Sequence, residues 1–164
     1  MLDLGIGRTK DGALLAARIL MMLLFVLFGW DKLTSFGDTI GFMSQTGVPD
    51  APLAAVFAVV MEFFIGLALV AGVMTRLTAL LMAAYTLATA IVGHPFWTMS
   101  GPAAADAELN FFKNISIIGG LLAIYVGGGG RYSVDATIKL EHHPAQRHAG
   151  AVETGQGHLP PTRS

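Results

Sequence analysis

"LTALLMAAYTLATAIVGHPFWTMSGPAAA" (Leu77–Ala105) contains no Lys, Arg, Asp or Glu. A helix that crosses a bilayer needs roughly 20 mostly apolar residues, so a run of this length reads as a membrane span. The span proper is Leu77–Gly93, because Pro95 supplies no N–H and disfavours an α conformation in the residue before it. Outward from it, three more apolar runs qualify, near Ala13–Leu33, Pro52–Met74 and Asn110–Gly127. The fold class that follows is all-α, an integral membrane four-helix bundle.

Composition agrees. The chain is 54% hydrophobic and 13% charged, against about 25% charged in a soluble domain, and its mean hydropathy is +0.63. A net charge of −1 without a basic, aromatic-laced stripe gives no footprint for nucleic acid. Cysteine is absent, which excludes disulfides, thiolate metal sites and a dithiol relay within this chain. The first run is longer than a signal-peptide core, and no small-x-small site precedes the "GWDKL" that ends it, so it too is read as a span.

Lys and Arg set the orientation. Arg8, Lys10, Arg76, Arg131 and Lys139 fall on one side of the four spans, whereas the other side has Lys32 and Lys113. Both termini are therefore expected in the cytoplasm of a bacterial cell, with the chain in its inner membrane. Residues 1–12 form a cytoplasmic lead-in, 13–135 the membrane domain, and 136–164 a polar tail expected to be disordered. Between the spans, "SFGDTIGFMSQTGVPDAP" (Ser35–Pro52) reads either as a short interfacial helix or as a partly ordered loop. "TMSGPAAADAE" (Thr98–Glu108) reads as a loop. The tail histidines His142, His143, His148 and His158 match no usual zinc spacing, and no metal site is assigned.

The candidate functional residues are the polar ones inside apolar runs, which are costly in lipid and normally face the bundle interior. By helical spacing, Arg18, Met22, Phe25, Gly29 and Lys32 share one face of the first span. Glu62, Gly66 and Leu69 share one on the second, Thr78, Met82, Tyr85 and Thr89 on the third, and Lys113, Ser116, Gly120, Ala123 and Gly127 on the fourth. Convergence of these faces makes a polar seam in which Arg18 and Glu62 are the obvious pair. That pair is either a buried salt bridge fixing helix register or a carboxyl that handles protons or a ligand's polar head; the third alternative is that it does not form. At the opposite end His94, Lys113 and Asn114 are expected to line a polar mouth. Trp30, Phe96 and Trp97 read as interfacial anchors. No nucleophile–base–orienter set and no phosphate-cradling glycine motif emerges, so no catalytic activity is assigned.

Taken in order, "ARILMMLLFVLFGWDKL", "MEFFIGLALVAGVMTRL", "GHPFW" and "FFKNISIIGGLLAIYVGGGGRYSVD" resemble the DoxX family over roughly Ala13 to Asp135. The resemblance implies a four-helix bacterial inner-membrane protein linked to membrane redox systems, with quinone as the cofactor that link would involve. Three roles stay open: an accessory subunit or adaptor of a larger redox or energy-converting complex, a quinone-linked oxidoreductase subunit using Glu62, Arg18 and His94 for protons, and a small solute carrier acting as an oligomer. The first leads because no cofactor motif is present. A membrane-protein partner or homo-oligomer is expected.

Overall fold

A computed structural model describes residues 2–141. Its helices are α1 (Leu2–Thr34), α2 (Phe36–Gln45), α3 (Ala51–Ala71), α4 (Thr75–Gly93), α5 (Pro102–Gly127) and α6 (Val134–Glu141). Among the described residues four segments are long and apolar enough to cross a membrane: Thr9–Thr34, Ala51–Ala71, Thr75–Thr98 and Pro102–Gly127. The residues expected in the spans are there, within helices that extend further. Of the two readings of Ser35–Pro52, the helical one holds, as α2.

Local chemistry explains the helix ends. The Asp50 side chain accepts from the Leu53 N–H at 3.4 Å, and Pro52 occupies the first turn of α3, where its missing N–H costs nothing. At the other end of α3, Gly72 adopts φ +74°, the Gly72 N–H donates to Leu69 O, and the Val73 N–H donates to Ala68 O. This is a Schellman ending, which satisfies carbonyls the helix would otherwise leave open. Residues 102–108 were expected in a loop and are helical instead. Pro102 in the first turn and the alanines at 103–105 and 107 favour helix, an influence that outweighs the Gly-Pro punctuation before them. Helix α6 likewise carries regular structure beyond Asp135, through Glu141. The tail histidines lie outside the described residues.

The core is made of Met22, Met61, Leu69, Met82, Leu121 and Ile124, with Ala58, Ala79 and Ala83 between them. Many larger apolar side chains point outward instead, among them Leu20, Leu27, Phe64 and Val126. That distribution suits lipid, where association rests on close packing rather than on escape from water. The two most extensive pairings are α1 with α3 and α4 with α5. Here α4 supplies small side chains (Ala79, Ala83, Thr86, Ala90, all buried), and α5 supplies Leu121 and Ile124 to fill the space above them.

The expected face of α5 meets α1 at Gly120 and Gly127, beside Met21 and Leu14, but the side turned to the bundle interior is a different one. Lys113, Ser116, Ala123 and Gly127 are exposed, while the buried side carries Ala107, Leu121 and Ile124. Small residues already line α4, so a second small face opposite them would leave a void.

The register of α1 against α3 is set at Gly29. A Cβ there would lie 2.6 Å from Phe63 N and 2.9 Å from the Glu62 carbonyl carbon, so the two backbones touch. Gly29→Ala is expected to destabilise the bundle by about 1–3 kcal/mol, because helix backbone cannot step aside as a side chain can. Thermal unfolding in detergent checks this, with Gly119→Ala as the comparison: nothing lies within 4 Å of a Cβ at Gly119, and its stability should hold or rise.

Candidate functional site

Two polar clusters sit at different levels of α1. The first is built where α3 loosens into π-type hydrogen bonding over Val60–Ile65, a distortion found frequently at functional sites. Glu62 lies in this stretch and is only 8% exposed. Its Oε2 accepts from Lys32 Nζ at 2.7 Å, and its Oε1 accepts from the Tyr85 hydroxyl at 2.6 Å. Three helices thus contribute one group each: α1 the ammonium, α3 the carboxylate and α4 the phenol. Aromatic rings wall the cluster: Lys32 Nζ stands 5.7 Å from the centre of the Phe28 ring, and Phe57 meets Tyr85 edge-on at 5.9 Å. Trp30 packs on Phe63 beside it.

The second cluster gathers at the end of the bundle that carries both described chain ends. Arg18, with no exposed surface, donates from Nη2 to the Tyr132 carbonyl, while its Nε and Nη1 have no hydrogen-bond partner among the described residues. It packs so closely on Gly72 that a Cβ there would overlap Nη1. Asp135 is its electrostatic counterpart. Asp135 also caps α4: Oδ1 accepts from the Met74 N–H at 2.7 Å, and Oδ2 accepts from the Thr75 N–H at 2.8 Å and the Thr75 hydroxyl at 2.7 Å. The Asp135 N–H in turn donates to Gly72 O.

The expected Arg18–Glu62 pair therefore does not form. Lys32, opposite Glu62, is fourteen residues beyond Arg18, a separation of about 21 Å along α1 at ~1.5 Å per residue. Aligning the spans by their ends leaves the two Cα atoms roughly one to two helical turns apart in depth, a gap that a long Arg side chain mostly covers. The contact at Gly29 slides α3 along α1 and brings Lys32 to the carboxylate instead.

The mouth expected from His94, Lys113 and Asn114 is only partly assembled. His94 ends α4 half-buried and feels the charge of Lys113. Lys113 is exposed and donates to Asn110 Oδ1 at 2.6 Å, one turn back on α5, while Asn114 is half-buried. Beside them Phe96 and Trp97 join Phe111 and Phe112 in a four-ring cluster with centroids 5.2–6.1 Å apart. Trp30 and Trp97 are more than half exposed, as rings facing lipid would be.

Tyr85 and Asp135 are the partners that sequence reasoning missed. A phenol inside an apolar run signals the first, since a buried hydroxyl usually finds an acceptor. Asp135 had only the weaker signal of an acid in the first turn of a short helix.

The sequence pattern of the DoxX family matches residues 13–95. Inner membrane protein YphA of Escherichia coli (strain K12) is 41% identical over 79% of this chain and 92% of its own length. Inner membrane protein YqjF of the same organism is 41% identical over 80% of this chain and 95% of its own. The chain belongs to the DoxX family. No solved structure matches it. The family match covers α1 from residue 13 onward together with α2, α3 and α4, so all three members of the Lys32–Glu62–Tyr85 cluster fall within the DoxX region.

Proposed function

We propose that this DoxX protein is a non-catalytic subunit of the bacterial inner membrane that docks a transmembrane helix of a larger redox or energy-converting complex. One observation carries the reading: α1 and α5 touch where Met21 meets Gly120 and Leu14 meets Gly127, but they leave an open apolar groove along their contact. A groove of about 430 Å³ runs between them, floored by Ala17, Gly120 and Ala123 and walled by Leu14, Met21 and Ile117. Small residues flanked by larger ones are what a second helix needs for close approach in lipid. The Lys and Arg distribution supports a cytoplasmic location for both chain ends, since Lys10, Arg76 and Arg131 lie at that end of the bundle.

A quinone-linked role is the second reading, and the Lys32–Glu62–Tyr85 cluster favours it. Lys32 and Tyr85 are hydrogen-bond donors in an aromatic setting, suited to a quinone carbonyl, although both are engaged by Glu62. A bound quinone would supply reversible two-electron chemistry.

The test is native mass spectrometry of the protein extracted from its own membrane in mild detergent. The docking role predicts heavier species containing other subunits, and their loss in Ala123→Trp, which fills the groove. A lone chain or homo-oligomer carrying a quinone-sized adduct overturns docking and moves the function to Lys32, Glu62 and Tyr85.

A further inference from the structure

A second cleft, of about 750 Å³, opens at the end of the bundle that carries both described chain ends, and Arg76 and Arg131 both line it. One side is Gly127–Gly130, where Gly128 has open space beside it and Gly129 packs on Thr75 and Ser133. The lip is apolar: Met74, Leu77 and Ile138 are 59%, 47% and 50% exposed. The cleft also sits where the segment Thr75–Thr98 begins and Pro102–Gly127 ends, at the boundary between apolar and polar surroundings.

Asp135 is the acidic group in the lining, and its carboxylate is already committed. Both oxygens accept hydrogen bonds from the start of α4, and Arg18 lies behind it. Asp11 stands beside the glycine run, its Oδ1 accepting from the Arg131 N–H at 3.1 Å, and the charge lining the cleft itself is that of the two guanidinium groups. Guanidinium forks suit phosphate oxygens, and exposed apolar side chains at the same level suit hydrocarbon.

We propose that this cleft binds the phosphate of an anionic phospholipid, with Arg76 and Arg131 on the headgroup and Met74, Leu77 and Ile138 against its acyl chains. Each cation near a membrane surface contributes roughly fivefold, so removal of both should weaken selective retention by about 25-fold.

The experiment uses the full chain in mild detergent, offered phosphatidylglycerol and phosphatidylcholine together and weighed by native mass spectrometry. The wild type should keep phosphatidylglycerol preferentially, and excess inorganic phosphate should leave it in place. Arg76→Ala/Arg131→Ala should lose the preference and Arg131→Ala should lose part of it, while Lys10→Ala, which removes a cation outside the cleft, should retain it. Equal retention of the two lipids by the wild type overturns the proposal. So does an unchanged preference in the double variant, or an equal loss in Lys10→Ala. Displacement of the lipid by inorganic phosphate also overturns it and assigns the cleft to free phosphate. A double variant that fails to fold shifts the decision to Arg131→Ala, where an unchanged preference overturns the proposal.

Discussion

Lys32→Ala is expected to destabilise the folded bundle by about 2–3 kcal/mol, somewhat less than removing one partner from a fully buried ion pair, because the Lys32 side chain is 25% exposed. The variant leaves Glu62 with the Tyr85 hydroxyl and no counter-charge, at a site 8% exposed. The cost lies in the stranded carboxylate rather than in the attraction that is lost. Lys32→Ala/Glu62→Gln should therefore recover most of the stability, because the neutral amide can still accept from Tyr85. Thermal unfolding of the four members of this double-mutant cycle, in one detergent, separates the two contributions. Equal losses in Lys32→Ala and in the double variant would mean that Lys32 acts through packing alone. In that case the cluster would hold no charge worth compensating.

Asp135→Ala is expected to cost about 3 kcal/mol or more. It removes three hydrogen bonds to an ionised acceptor, each typically worth about 1.5–3 kcal/mol, and takes the counter-charge from Arg18. Met74 makes the site harder to repair, because its φ of +45° places a non-glycine residue in the left-handed region. That conformation persists only where its surroundings enforce it. Limited proteolysis provides the readout: cleavage in the Gly72–Thr75 turn and after Gly127 should accelerate together, since Asp135 ties the two segments to each other. Accelerated cleavage after Gly127 alone would show that α4 keeps its start without the cap. Asp135→Asn should fall between, retaining an acceptor without the charge.

The four spans were legible because hydropathy is a local property and lipid leaves the backbone few alternatives to helix. Helix register was not. It depends on Gly29 meeting the backbone at Glu62 and Phe63, and a glycine in an apolar run looks the same whether or not a neighbour touches it. With register undetermined, Glu62 was assigned to the wrong cation of the two on the correct face of α1. Arg18 was harder still, since its acceptor is the Tyr132 carbonyl and every residue carries a carbonyl. The polar candidates were identified as such; their partners depended on a slide of helices that periodicity does not encode. The small face of α5 reached α1, at Gly120 and Gly127, but not α4, and for a different reason. Small residues mark close approach only when the facing helix is large, and α4 had already taken the small role with Ala79, Ala83 and Ala90.

The bond between Arg18 and Tyr132 joins residues 114 positions apart. A chain made from its N-terminus threads Arg18 into the membrane long before residue 132 has left the ribosome. Through most of synthesis, then, the earliest buried cation waits for an acceptor that does not yet exist, and α4 waits for the carboxylate that will cap it. The stretch Tyr132 to Asp135 meets both needs within four residues. Emergence of this short stretch is thus the step that latches the bundle, and a chain that stops before Tyr132 keeps its spans but carries an open charge at its base.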